Sequence, residues 1–185
     1  KWQSVGDAVY QNNIMTFNRD PNDQINVGDI GGAVWYTENT NNLQGLKFRF
    51  RPIITTDMNY YGNKKYPEGF ALVITSSPVS KTLIGDKRSG LGYNGLNQAI
   101  AIEFDFLQNN DKNDIKNPHL SVHFNVNGAV SSRSPDTKCA GLCNIELPNF
   151  YDESKENYKG AGTFTVEIYN GRIWVYFNNE KPLIN

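Results

Sequence analysis

Five side chains able to ligate a divalent cation fall within seventeen residues of this chain: Glu103, Asp105, Asn109, Asp114 and His119, in EFDFLQNNDKNDIKNPH. The run leading into them, AIAIEFDF (99–106), reads as a strand. Successive side chains on a strand face opposite ways. Ile102, Phe104 and Phe106 therefore share one face, and Glu103 and Asp105 share the other. The strand carries no Lys or Arg. Two adjacent carboxylates raise each other's pKa unless a positive charge intervenes. A divalent cation is the simplest such partner. The following loop adds hard oxygens from Asn109, Asp111 and Asp114, the donor type that calcium takes.

Further strands must hold this one in place. AVWYT (33–37), LKFRFRPII (46–54), FALVIT (70–75), HLSVHFNVN (119–127), TFTVEIY (163–169) and RIWVYFNN (172–179) are the candidates. In LKFRFRP the alternation is strict, with Leu46, Phe48 and Phe50 on one face and Lys47, Arg49 and Arg51 on the other, as in a half-buried antiparallel strand. Asn170-Gly171 between the last two runs is a strong hairpin signal. No helical pattern is evident. Many strands separated by turn signals predict an all-β sandwich or barrel. With 185 residues and neither linker nor repeat, the expectation is one domain over 1–185.

Bulk properties narrow the function. Net charge is −1 and charged residues make up 20%, which argues against a nucleic-acid surface. No apolar run reaches the ~20 residues of a membrane span. Cys139 and Cys143, in KCAGLC, favour a short disulfide over free thiols in an extracytoplasmic setting. A zinc site built from them with His119 and His123 fits no strong zinc spacing.

The spacing from Glu103 (Asp at +2, Asn at +6, Asp at +11, His at +16) resembles the metal signature of the legume-type (L-type) lectins. GLGYNGLNQAIAIEFD is similar to that family's Gly-rich loop and metal strand, and PEGFALVITSSP to the strand that presents its sugar-binding carboxylate. AVWY, LKFRFRP and TFTVEIYNGRIWVYFNN match the flanking strands, so the resemblance covers nearly the whole chain. Its details look closer to microbial and protist members than to plant seed proteins. It implies a concanavalin-like jelly-roll β-sandwich of antiparallel sheets with two adjacent cations. Calcium would be held by Asp105, the Leu107 main-chain carbonyl, Asn109 and Asp114. Manganese or another transition ion would be held by Glu103, Asp105, Asp114 and His119. The implied sugar site is Asn109 with Glu68, Leu107 and a backbone N–H from Gly90. The implied partners are glycans or glycoproteins, bound for adhesion or sorting by a secreted, cell-surface or secretory-lumen protein. Oligomerisation stays open.

Three departures bear on the sugar half. Glu68 stands where the family has Asp. Leu107 replaces an aromatic that stacks on the sugar, a role for which Tyr60, Tyr61, Tyr66 and Tyr93 are candidates. The family continues with further strands beyond the equivalent of KPLIN; a shortened fold and a continuation elsewhere both stay open. One alternative is therefore a structural or adhesive module that keeps the metal site but has lost sugar binding. Glycoside hydrolases of the same sandwich are the other. Their strand carries a third carboxylate, which here would fall at Leu107 or Gln108, and neither can act as acid or base. No catalytic residue is assigned and no enzyme is expected.

Overall fold

The computed structural model describes residues 1–17, 31–38, 45–55, 68–115, 118–125, 128–133, 145–147, 157–159 and 162–184. Among them thirteen strands form: β1 (Trp2–Gly6), β2 (Val9–Gln11), β3 (Ile14–Thr16), β4 (Gly32–Tyr36), β5 (Gly45–Phe50), β6 (Ile53–Thr55), β7 (Gly69–Thr75), β8 (Ala99–Asp105), β9 (His119–Phe124), β10 (Ile145–Glu146), β11 (Asn157–Lys159), β12 (Phe164–Tyr169) and β13 (Arg172–Phe177). Two short 3-10 turns are the helical content of these residues. The fold class is the expected one: all-β with antiparallel sheets, consistent with a jelly-roll β-sandwich. No helix among the described residues is long and apolar enough to cross a membrane.

The chain gathers into two compact units, residues 1–38 with 68–144, and 39–67 with 145–185. In the first, β7, β8 and β9 are neighbours in one sheet, with β8 central. The register sets Gly69 opposite Asp105 on one side of β8 and His119 opposite Asp105 on the other. β1 pairs with β4, and β2 with β3. The β2–β3 hairpin turns through Asn12 and Asn13, both at positive φ (51° and 60°). Asn tolerates that conformation better than most residues, which is why Asn-Asn can replace Asn-Gly. A core of Val5, Trp35, Tyr93, Leu96, Ala99, Ala101 and Val130 fills this unit. Trp35 Nε1 donates to the Leu83 carbonyl at 2.8 Å, so the indole is buried without losing its hydrogen bond.

In the second unit β12 lies between β13 and β5, and β11 pairs with β6. Lys47 and Arg49 are exposed while Leu46, Phe48 and Phe50 are partly covered, as the alternation predicts. LKFRFRPII is not one strand, however. It breaks after Phe50 and resumes at Ile53, with Pro52 in the gap. Proline has no N–H to give a ladder and fixes its own φ. The Asn170-Gly171 hairpin forms as expected, pairing Tyr169 with Arg172. Cys139, Cys143, Tyr60, Tyr61 and Tyr66 lie outside the described residues.

Candidate functional site

β8 carries the site. Ala99, Ala101, Glu103 and Asp105 face the core of the first unit, and both alanines are core members. Small side chains at 99 and 101 leave room there. Ile102 and Phe104, on the other face, are fully buried. Phe104 stacks on Phe70 of β7 at 4.8 Å between ring centroids. From Ala101 to Asp105 both faces of the strand are thus inside the protein, while Ile100 near its start is exposed. The acidic face is no solvated surface: Glu103 is 1% exposed and Asp105 2%.

Cross-strand pairing then brings the imidazoles in. β9 reads His119-Leu-Ser-Val-His123, so His119, Ser121 and His123 share one face, directly across from Asp105, Glu103 and Ala101. All three are buried. His119 Nε2 stands 3.6 Å from Glu103 Oε1, and His123 Nε2 3.4 Å from the same oxygen. Glu103 Oε2 accepts the Tyr93 hydroxyl. Donor atoms of Glu103, Asp105 and His119 all lie within 4.8 Å of one another, as a shared cation requires.

The two carboxylates are not equivalent. Burial pushes the Glu103 carboxyl up, but the two imidazoles and the Tyr93 hydroxyl outweigh burial and hold it at about 2. Asp105 is raised to about 8, first by burial and then by the Glu103 charge beside it. The Leu107 N–H, on Asp105 Oδ1 at 2.8 Å, and the His119 charge oppose the rise. Burial also raises Asp114. Burial alone would lower His119, but the surrounding carboxylates raise it. The mutual elevation expected of Glu103 and Asp105 therefore falls on Asp105. Imidazoles that the strand itself does not contain relieve Glu103.

The loop after β8 folds around Asn109 and Asp114. A 3-10 turn over Asn110–Lys112 ends at Asn113 in the left-handed region. It returns the chain so that Asn109 N–H donates to Asp114 Oδ2 at 2.8 Å. Asn109 Nδ2 donates to Glu68 Oε2 at 3.1 Å, and Asn109 Oδ1 is buried with no hydrogen-bond partner among the described residues. Glu68 reaches this point because it immediately precedes β7, where its carbonyl accepts the Phe106 N–H at 2.8 Å.

The structure thus joins Glu103, Asp105 and His119 in one cluster, and Asn109, Asp114 and Glu68 in a hydrogen-bonded group at the mouth of β8. Leu107, between Asp105 and Asn109 in the chain, is half-buried. Gly90 is buried in the 3-10 turn Arg88–Gly90, and its N–H donates to the Lys87 carbonyl at 3.1 Å, so that amide is already used. Tyr93 is no sugar-facing aromatic: it is wholly buried, with its hydroxyl on Glu103. Sequence reasoning missed Tyr93 and His123 as parts of the site. The His-x-x-x-His alternation on β9 was a usable signal for His123. Tyr93 was a candidate for stacking on a sugar, and nothing local marked it as a partner of Glu103.

The donor chemistry fits the cations that the spacing implies. Asn109 offers a buried oxygen that lacks a partner, where leaving it so is costly. Asp105 is a carboxyl kept from ionising by its surroundings, which a cation would relieve. Glu103, Asp105 and His119 supply the mixed carboxylate and imidazole set suited to a transition ion.

The antiparallel sheet thus carries a buried carboxylate–imidazole cluster and, on the loop after β8, an amide–carboxylate pair. The chain belongs to the legume lectin domain family, whose model matches residues 3–184 and so runs across both units. Carbohydrate binding is what membership implies, and such domains are generally non-catalytic and generally bind metal ions. The chain is also similar to the L-type lectin-domain containing receptor kinase VIII.1 of Arabidopsis thaliana, with 32% identity over 97% of this chain. It spans about a quarter (24%) of that relative's length.

Proposed function

We propose that this chain is a calcium-dependent carbohydrate-binding domain in which Asn109 is the pivot between cation and sugar. The carrying observation is the split state of that one side chain. Its oxygen is buried without a partner, and its amide nitrogen points to the Glu68 carboxylate. Calcium would be held by Asp105, the Leu107 carbonyl, Asn109 Oδ1 and Asp114. A transition ion such as manganese would be held by Glu103, Asp105, Asp114 and His119. When bound, the ions supply fixed positive charge that neutralises the cluster. The chain's own groups do the recognition. A carboxylate accepting two hydroxyl protons beside an amide donating one matches the vicinal hydroxyls of a sugar. Glu68 and Asn109 are that pair, and Leu107 adds apolar contact. No residue is assigned to catalysis. The setting proposed is secreted, cell-surface or secretory-lumen, where the glycans or glycoproteins bound would serve adhesion or sorting.

A glycan array probed with and without EDTA tests the proposal. Binding that calcium restores after chelation is expected; binding indifferent to EDTA overturns the calcium dependence. One observation favours a second reading, a scaffold that keeps the ions but not the sugar: the Asn109 amide is already engaged by Glu68. In that case calcium raises the melting temperature while the array stays silent.

A further inference from the structure

We infer that Tyr93 and His123 are positioning residues that hold Glu103 as a one-oxygen ligand, and so set which cation the Glu103–Asp105–His119 cluster prefers. The inference rests on reading that cluster as a metal site. Its basis is how the two Glu103 oxygens are shared out. Oε2 accepts the Tyr93 hydroxyl, and the Tyr93 ring is wholly buried. Oε1 lies between two imidazoles, 3.6 Å from His119 Nε2 and 3.4 Å from His123 Nε2. His119 belongs to the group whose donor atoms lie within 4.8 Å of one another, and His123 does not. A cation shared by Glu103, Asp105 and His119 would approach Oε1 from the His119 side. His123 is 1% exposed, and neither its Nδ1 nor its Nε2 has a hydrogen-bond partner among the described residues, although Nε2 approaches Glu103 Oε1 to 3.4 Å. The group it faces is Glu103 Oε1, and with a proton on Nε2 it would steady that oxygen from the side away from the cation.

The consequence is selectivity. With Oε2 committed to Tyr93, Glu103 presents a single oxygen. Calcium takes six to eight oxygens and often uses both oxygens of a carboxylate, whereas first-row transition ions suit smaller sets that include imidazole. Tyr93 and His123 therefore bias the cluster against calcium and leave calcium to the oxygen donors around Asn109. Outer partners that orient a ligand typically account for 10- to 100-fold in metal affinity.

Calorimetric titration of the whole chain with Mn2+, alone and in excess Ca2+, tests this on Tyr93→Phe, His123→Ala and His123→Gln. Tyr93→Phe keeps the buried ring and removes only the donor. The wild type is expected to bind Mn2+ against competing Ca2+. Tyr93→Phe and His123→Ala should each weaken that preference about tenfold or more. His123→Gln, which keeps an N–H donor, should recover most of it. Melting in chelator identifies any variant that fails to fold; if Tyr93→Phe does, the His123 pair decides. Folded Ala and Gln variants with equal, unchanged Mn2+ preference overturn the inference while leaving the metal site standing. A wild type that binds no Mn2+ overturns both.

Discussion

Asp105 and Asn109 are the two side chains on which the proposed function turns. Glu103 has its charge met by Tyr93 and the two imidazoles, while at Asp105 burial and the Glu103 charge outweigh the Leu107 N–H and the His119 charge. A cation has most to offer at Asp105, which is common to both proposed ion sites. Asp105→Ala should abolish calcium and manganese binding in calorimetry, and glycan binding with them; retained calcium would remove Asp105 from the site. Asn109→Ala should abolish glycan signal yet shift the chelated melting temperature little, because among the described residues the side chain's hydrogen bond is to a half-buried Glu68. Unchanged glycan binding in that variant would take Asn109 out of the sugar site.

At the scale of elements, the site depends on how closely β7 begins against β8. Gly69 has φ +148°, and a Cβ placed there would lie 2.2 Å from the Phe104 carbonyl oxygen. Only glycine permits both. Gly69→Ala must push β7 off β8 just where Glu68 is delivered to Asn109. It should cost about 2 kcal/mol or more and weaken glycan binding as well. Gly171, at φ +71° in the β12–β13 turn, has open space where a Cβ would sit. Gly171→Ala should cost only about 1 kcal/mol, from backbone strain alone, with glycan binding intact. Urea denaturation of both variants measures the difference, and equal losses would contradict the close approach of β7 and β8 at Gly69.

For the molecule as a whole, the buried acidic cluster makes metal-free stability depend on pH. The Asp105 pKa rises on folding from 3.8 to about 8, so the folded form keeps a proton that the unfolded form has already lost. That contribution is complete below about 4 and disappears as pH climbs toward 8. The raised His119 acts in the same direction. Glu103 runs the other way, from 4.5 unfolded to about 2 folded, and its contribution is lost only as pH falls below about 4. Melting temperature in chelator should therefore fall between pH 5 and 8. Excess calcium should flatten the decline, so that the calcium-induced shift grows with pH. A chelated profile that is level across this window would contradict the raised pKa of the buried Asp105.

The sequence by itself determined which residues could meet a cation and which runs must be strands. Alternation is a local property, and β8, β9, β12 and β13 follow from it directly. Glu103, Asp105 and His119 were legible because side-chain type and ligand spacing are written along one short stretch. The short strands β1, β2, β3 and β11 were not anticipated, since three to five residues without clean alternation become strands only through the partners they find. Folding in three dimensions was needed to bury both faces of β8 from Ala101 to Asp105, which turns an acidic strand into a buried electrostatic cluster. It also decided that His123 and Tyr93, four residues and ten residues from their nearest counterparts along the chain, converge on Glu103. Strand register and a folded loop made that convergence, and neither is encoded within the span of residues that must meet.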